Sequence, residues 1–162
     1  MACLHDERSD MPAEIGSPAP EFSLRNVDGE PVSLDDLKGN KTLIVFIPFP
    51  FTGTCEAELC SIRDGLSQLE ELDVNVVAIT TDTLFANRVW SEQNSFGFPV
   101  LSDFWPHGAV TQAYGTFDDR VGAANRSTYV LDEEGVVRDI VATETRREAR
   151  EFDEYVKALE SI

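Results

Sequence analysis

The chain of 162 residues contains three lysines, two histidines and three cysteines, and no apolar run approaches the roughly 18 residues that a membrane-spanning helix needs. Its first ten residues, Met1 to Asp10, are charged rather than apolar, so no secretory signal is visible and a cytoplasmic location is expected. Cys3, Cys55 and Cys60 form an odd and sparse set, which argues against a structural disulfide framework and leaves reactive or merely buried thiols. His5 and His107 lie far apart, and neither stands at metal-ligand spacing with a cysteine, so surface histidines are expected and no metal centre. No glycine-rich phosphate loop follows a strand, and no motif supports a Ser-His-Asp triad.

Charge of one sign dominates what is there. Thirty acidic residues against thirteen basic ones give a formal charge of −17, which repels nucleic-acid phosphates and anionic membranes. The acidic residues are spread along the chain and hydrophobic content is an ordinary 42%, so the composition is that of a folded protein with an acidic surface. Such a surface suits a salt-rich cytoplasm, where screening removes the self-repulsion, and a halophilic source is the expectation.

Residues 1–14 are polar and aperiodic and read as a loose arm, with Cys3 an incidental thiol within it; residues 15–162 read as a single domain. Asp28-Gly29 marks a turn between short strands at Glu21–Leu24 and Pro31–Leu34. The runs Thr42–Ile47 and Val74–Thr80 look like central strands buried on both faces. Between them Leu59, Ile62, Leu66 and Leu69 fall at helical spacing, predicting one helix over Cys55–Leu72 and a right-handed crossover between parallel strands. A second helix is expected over Thr83–Asn94, capped near Asp82 or Thr83, and a short strand over Phe98–Leu101. Asp132-Glu133-Glu134-Gly135 splits a hairpin of Ser127–Leu131 and Val136–Val141, and Glu148–Ile162 reads as a final amphipathic helix. The order βαβ then ββα is the thioredoxin-like arrangement: a three-layer α/β fold with a central mixed sheet and an N-terminal hairpin.

Chemistry concentrates at Pro48-Phe49-Pro50-Phe51-Thr52-Gly53-Thr54-Cys55, which leads from the first central strand into the first long helix. Cys55 thus falls in the helix's opening turn, where free N–H groups and the helix dipole favour a thiolate. In a chain carrying −17, that thiolate also needs a cation brought from elsewhere in the sequence.

Pro48, Thr52 and Cys55 match the Pro-x-x-x-Thr-x-x-Cys motif, Glu58 the acidic residue that often follows it, and Arg126, just before Ser127–Leu131, the active-site arginine, so that the chain resembles the peroxiredoxins over roughly residues 13 to 160. The wording PFTGTCEAEL is similar to the alkyl hydroperoxide reductase E group, whereas a second cysteine five residues later is typical of the bacterioferritin-comigratory-protein group. The resemblance implies a thiol peroxidase without cofactor, acting on hydrogen peroxide and organic hydroperoxides. Cys55 would become a sulfenic acid, with Arg126, Thr52 and the Cys55 N–H holding the peroxide oxygens and Pro48 shielding the sulfur.

Glu58 is read as a carboxylate that orients active-site groups, against an ordinary first-turn charge favoured by the helix dipole. Cys60 is read as the resolving cysteine, against a buried thiol in a one-cysteine enzyme. Five residues along an intact helix separate it from Cys55 by about 7.5 Å and 140°, so resolution requires unwinding. A thioredoxin- or glutaredoxin-type dithiol would then reduce the disulfide. Competing readings are a disulfide oxidoreductase of the same fold, which the Cys-x-x-x-x-Cys spacing disfavours, and a non-enzymatic redox sensor or holdase. Phe49, Phe51, Trp90 and Trp105, if partly exposed, would suit a homodimer, against the reading that scattered aromatics are more often core.

Overall fold

A computed structural model describes residues 12–162. In chain order, β1 (Ser23–Arg25) and β2 (Pro31–Ser33) form the N-terminal hairpin. Its turn is closed by Asn26, whose side-chain oxygen accepts from the Asp28 and Glu30 N–H groups at 2.9 and 3.0 Å, and Gly29 takes the left-handed conformation the turn requires (φ +78°). Then come β3 (Lys41–Phe46), α1 (Gly53–Asp64), α2 (Leu66–Glu71), β4 (Val74–Thr80), α3 (Leu84–Asn94), β5 (Val100–Ser102) and α4 (Ala109–Ala113). A small ribbon, β6 (Phe117–Asp118) and β7 (Ala123–Ala124), precedes β8 (Ser127–Leu131), β9 (Val137–Ala142) and α5 (Phe152–Glu160).

The two runs expected to be central are central, because strands apolar on both faces are stable only where both faces are covered. β3 pairs with β4 in parallel from Lys41↔Val74 to Phe46↔Ile79, and with β8 antiparallel. The main sheet has the order β2-β1-β5-β4-β3-β8-β9 and is mixed, as the thioredoxin-like reading predicts. Alternation along β3 divides the core. Leu43 and Val45 face Leu59 and Ile62 of α1, Leu69 of α2, Trp90 of α3 and Tyr155 and Leu159 of α5. Ile44 and Phe46 face the opposite layer with Val77, Ile79, Tyr114 and Tyr129. Each fully buried large side chain of this kind contributes about 1.5–3 kcal/mol. Burial pushes the Tyr129 phenol up to about 12, and its hydroxyl donates to the Tyr114 carbonyl at 2.7 Å.

Three expectations need correction. The helix predicted over Cys55–Leu72 is two helices broken at Gly65, a poor helix former, where the Phe152 ring of α5 occupies the space that a side chain would fill. The last helix begins at Phe152 rather than Glu148, and the intervening residues form a loop that serves the site described below. Ala13, assigned to the loose arm, is buried against the second core layer; Cys3 and His5 lie outside the described residues. Of the four aromatics, Trp90 is core, with Phe51 packed on it at a ring-centroid distance of 6.2 Å. Phe49, Phe51 and Trp105 do expose substantial area. Among the described residues, no helix is long and apolar enough to cross a membrane.

Gly65→Leu should lower stability by about 1–3 kcal/mol through overpacking against Phe152, read as a shift of the urea midpoint. Adding Phe152→Ala should recover part of that loss; a double variant as unstable as the sum of the single ones would show that the ring does not crowd Gly65.

Candidate active site

β3 ends because Pro48 and Pro50 cannot donate to a sheet ladder. Pro48 is buried, and the chain turns through Phe51, which stands in the left-handed region at φ 65°, into α1. A non-glycine residue there costs on the order of 1–3 kcal/mol, so this turn stores strain beside Cys55. Thr52 is the N-cap of α1 by backbone position, yet its hydroxyl does not cap the helix: it donates to the Phe49 carbonyl at 2.7 Å. Cys55 is the third helical residue and is 1% exposed.

Arg126 reaches Cys55 from the residue preceding β8, 71 positions away, which the antiparallel pairing of β8 with β3 brings alongside the end of β3. Its Nη2 donates to Cys55 Sγ at 3.2 Å and to the Arg146 carbonyl at 2.6 Å, and its Nε donates to the same carbonyl at 3.1 Å. Nη1 lies 3.0 Å from Glu58 Oε1 but out of hydrogen-bond alignment, so both its protons lack an acceptor in a buried position. A guanidinium has five N–H protons; three are committed here to Cys55 and the Arg146 carbonyl, and Nη1 keeps only its ion-pair contact with Glu58.

Glu58 lies one helical turn beyond Cys55, with its side chain 1% exposed. Oε1 accepts from the Arg150 backbone N–H at 2.9 Å, and Oε2 from the Arg150 guanidinium, Nε at 3.0 Å. Arg150 also donates to Thr128 Oγ1 and the Phe46 carbonyl, both at 3.0 Å, and its side chain is wholly buried. Arg126, Glu58 and Arg150 thus form a buried trio with net charge +1, and a thiolate on Cys55 makes the cluster neutral. The local positive charge demanded by the −17 background is supplied here.

A further link lies behind Arg126. Asp118, 6% exposed, accepts from Arg120 Nε and Nη2 at 3.0 Å each and from Arg146 Nη1 at 2.6 Å. The hydrogen bonds from Arg120 and then Arg146 hold its carboxyl well below the ordinary carboxylate range.

The structure brings together Cys55, Glu58 and Arg126 as the sequence predicted, with Pro48 and Thr52 on the turn leading to them. Cys60 is apart: half-buried, it packs against the core layer under α1 with Sγ 3.8 Å from Asn94 Oδ1, and both cysteines are free. His107 is exposed and hydrogen-bonded to the Gly122 carbonyl. Sequence reasoning missed Arg150, Arg146 and Asp118. A signal for Arg150 existed, since an arginine near the start of a predicted helix sits against the helix dipole and calls for another partner; Asp118 and Arg146 gave none.

A cysteine at a helix opening, held by a buried arginine on a thioredoxin-like sheet, defines a peroxiredoxin-type thiol site. The fold agrees with solved peroxiredoxins: the peroxidoxin BcpB of Mycobacterium tuberculosis aligns at TM-score 0.82 and 25% identity, covering 93% of this chain and 98% of that one. The AhpC of Enterococcus faecalis aligns at TM-score 0.84 and 23% identity, covering 92% of each. In sequence, alkyl hydroperoxide reductase E of Mycobacterium tuberculosis is 45% identical over 125 residues, 76% of this chain and 82% of that protein. Residues 15–140 match the AhpC/TSA family, and the chain belongs to it. It is a thiol-dependent peroxidase.

Glu58→Ala leaves Arg126 and Arg150 without their counter-charge and should cost about 3–5 kcal/mol of stability, measured by urea unfolding. Asp118 makes a pH-dependent contribution whose sign follows from its lowered folded value: it is fully present above the unfolded value of about 3.9 and is lost as pH falls through the folded one. Asp118→Asn should therefore be less stable than wild type at neutral pH, with the gap in urea midpoint closing in increasingly acidic buffer below about pH 4.

Proposed function

We propose that this peroxidase reduces hydrogen peroxide and organic hydroperoxides through the Cys55 thiolate. The observation that carries the reading is the buried trio of net charge +1 whose Arg126 donates to Cys55 Sγ at 3.2 Å. In the step we assign, the sulfur attacks one oxygen of R–O–O–H in line with the O–O bond. A new S–O bond forms as the O–O bond breaks; the departing RO⁻ takes a proton to leave as water or alcohol, and Cys55 is left as a sulfenic acid, oxidised by two electrons. Charge grows on the departing oxygen, which is where preorganised donors help most. The Arg126 guanidinium, whose Nη2 already reaches the sulfur and whose Nη1 has no aligned acceptor, and the Cys55 N–H serve that purpose, while the Thr52 oxygen, its proton given to Phe49, is free to accept from the peroxide. Pro48 limits access to the sulfur.

Cys60 is proposed to close the cycle, its thiol condensing with the sulfenic acid to give a disulfide and water. Both residues stand on the unbroken α1, about 7.5 Å apart along its axis, whereas a disulfide requires Cα atoms within about 4.4–6.8 Å. The first turns of α1 must unwind, and doing so withdraws Glu58 from both arginines. A thioredoxin- or glutaredoxin-type dithiol would reduce the exposed product. A one-cysteine cycle with an external thiol is the second reading, favoured by the packing of Cys60 against the core. The exposed Phe49, Phe51 and Trp105 suit a homodimer, and the acidic composition a salt-rich cytoplasm.

Intact-mass analysis after one equivalent of hydrogen peroxide and thiol trapping tests this reading. Wild type should form an intramolecular disulfide, Cys60→Ser should stop at oxygenated Cys55, and Cys55→Ser should not react. Oxygenated Cys55 without a disulfide in wild type would leave the one-cysteine cycle, and an inert Cys55 would end the assignment. Arg126→Lys should slow the peroxide step about 10²-fold or more, as loss of a charge-stabilising donor does.

A further inference from the structure

The loop from β9 to α5 delivers the Arg146 carbonyl to Arg126, but the residues at its tip, Glu144, Thr145 and Arg147, are exposed and offer little packing to hold it. That carbonyl accepts two of the five guanidinium protons, so its position sets the plane of Arg126 and the direction in which Nη2 and Nη1 point. Within the loop the Thr143 hydroxyl and the Glu148 N–H donate to the Thr145 carbonyl at 2.7 and 3.3 Å, and the side chain of Arg146 itself ties the loop to a separate element. Arg146 Nη1 donates to Asp118 Oδ2 at 2.6 Å, and Asp118 is anchored on the separate β6–β7 ribbon, nearly buried and gripped by Arg120. The connection runs from Asp118 to the Arg146 side chain by a hydrogen bond, through the covalent frame of Arg146 to its carbonyl, and from there to Arg126 and the Cys55 sulfur by hydrogen bonds of 2.6 to 3.2 Å.

We infer that Asp118 and Arg146 are positioning residues for the peroxide step: together they clamp the loop so that Arg126 stays aimed at Cys55 and at the substrate oxygens. The inference rests on the reading of Cys55 and Arg126 given above. Neither residue reaches the sulfur itself; they act through the orientation of Arg126, so their loss should affect the reaction that needs an aimed guanidinium more than one that needs only a thiolate. A misplacement of about 1 Å at a reacting centre can cost up to about 10²-fold in rate.

The test compares two reactions of Cys55 in the full chain: oxidation by hydrogen peroxide and alkylation by iodoacetamide. Arg146→Met keeps the loop backbone, the apolar stem and the Asp118–Arg120 pair while removing the clamp. It should slow oxidation about tenfold more than it slows alkylation, and Arg146→Lys should recover part of the difference. Asp118→Asn should give the same pattern, and the double variant Asp118→Asn/Arg146→Met should be no slower than the single ones, since both break one link. Oxidation by Arg146→Met within twofold of wild type, with Arg126→Lys slow, would overturn the clamp while leaving the site assignment intact. Equal loss of both reactions in step with lost stability would reduce the pair to a structural role and also overturn it. Wild-type oxidation by Arg126→Lys would remove the site assignment and the clamp together.

Discussion

The buried pairing of one carboxylate with two arginines beneath a cysteine is the constraint on which the rest of the molecule depends. Burying Glu58, Arg126 and Arg150 is unfavourable for each alone, and the arrangement holds because almost every charge-bearing atom has a partner. The exception is Nη1 of Arg126, which has the ion-pair contact with Glu58 at 3.0 Å but no aligned hydrogen-bond acceptor. Local excess of positive charge and an uncommitted donor at the same point are what a thiolate and a developing oxyanion require. A chain of net charge −17 can hold such a site because the trio is 1–2% exposed or less, where neighbouring charges count for much more than screened ones on the surface.

Much of the architecture follows from delivering those three charges to one place. β3 ends at Phe46, just before Pro48, so that α1 can begin beside the sheet, placing Cys55 and Glu58 one turn apart on the inward side of the helix. β8 runs antiparallel to β3 and brings Arg126 to the same end. The loop before α5 carries Arg150 under the helix and the Arg146 carbonyl behind Arg126, which explains why α5 starts four residues later than its amphipathic pattern suggests. Glu58 consequently has two duties in tension. It neutralises the arginines in the folded helix, and it must leave them if Cys60 is to reach Cys55, so the charge network that prepares the thiol also opposes the unwinding proposed to resolve it.

By itself the sequence determined the two central strands, whose runs are apolar on both faces, the helical crossover that covers them and the cysteine at its opening turn. These are local properties: periodicity of side chains, proline at a strand end, a motif read over eight consecutive residues. Only the tertiary structure decided that Phe152, 87 residues away, fills the space beside Gly65, and only it decided that Glu58 answers two arginines rather than one. Arg146 and Asp118 were invisible for a stronger reason. What Arg146 gives the site directly is a backbone carbonyl, which every residue possesses, and what holds that carbonyl in place is an ion pair across 28 positions that forms only once the loop and the β6–β7 ribbon have folded against each other.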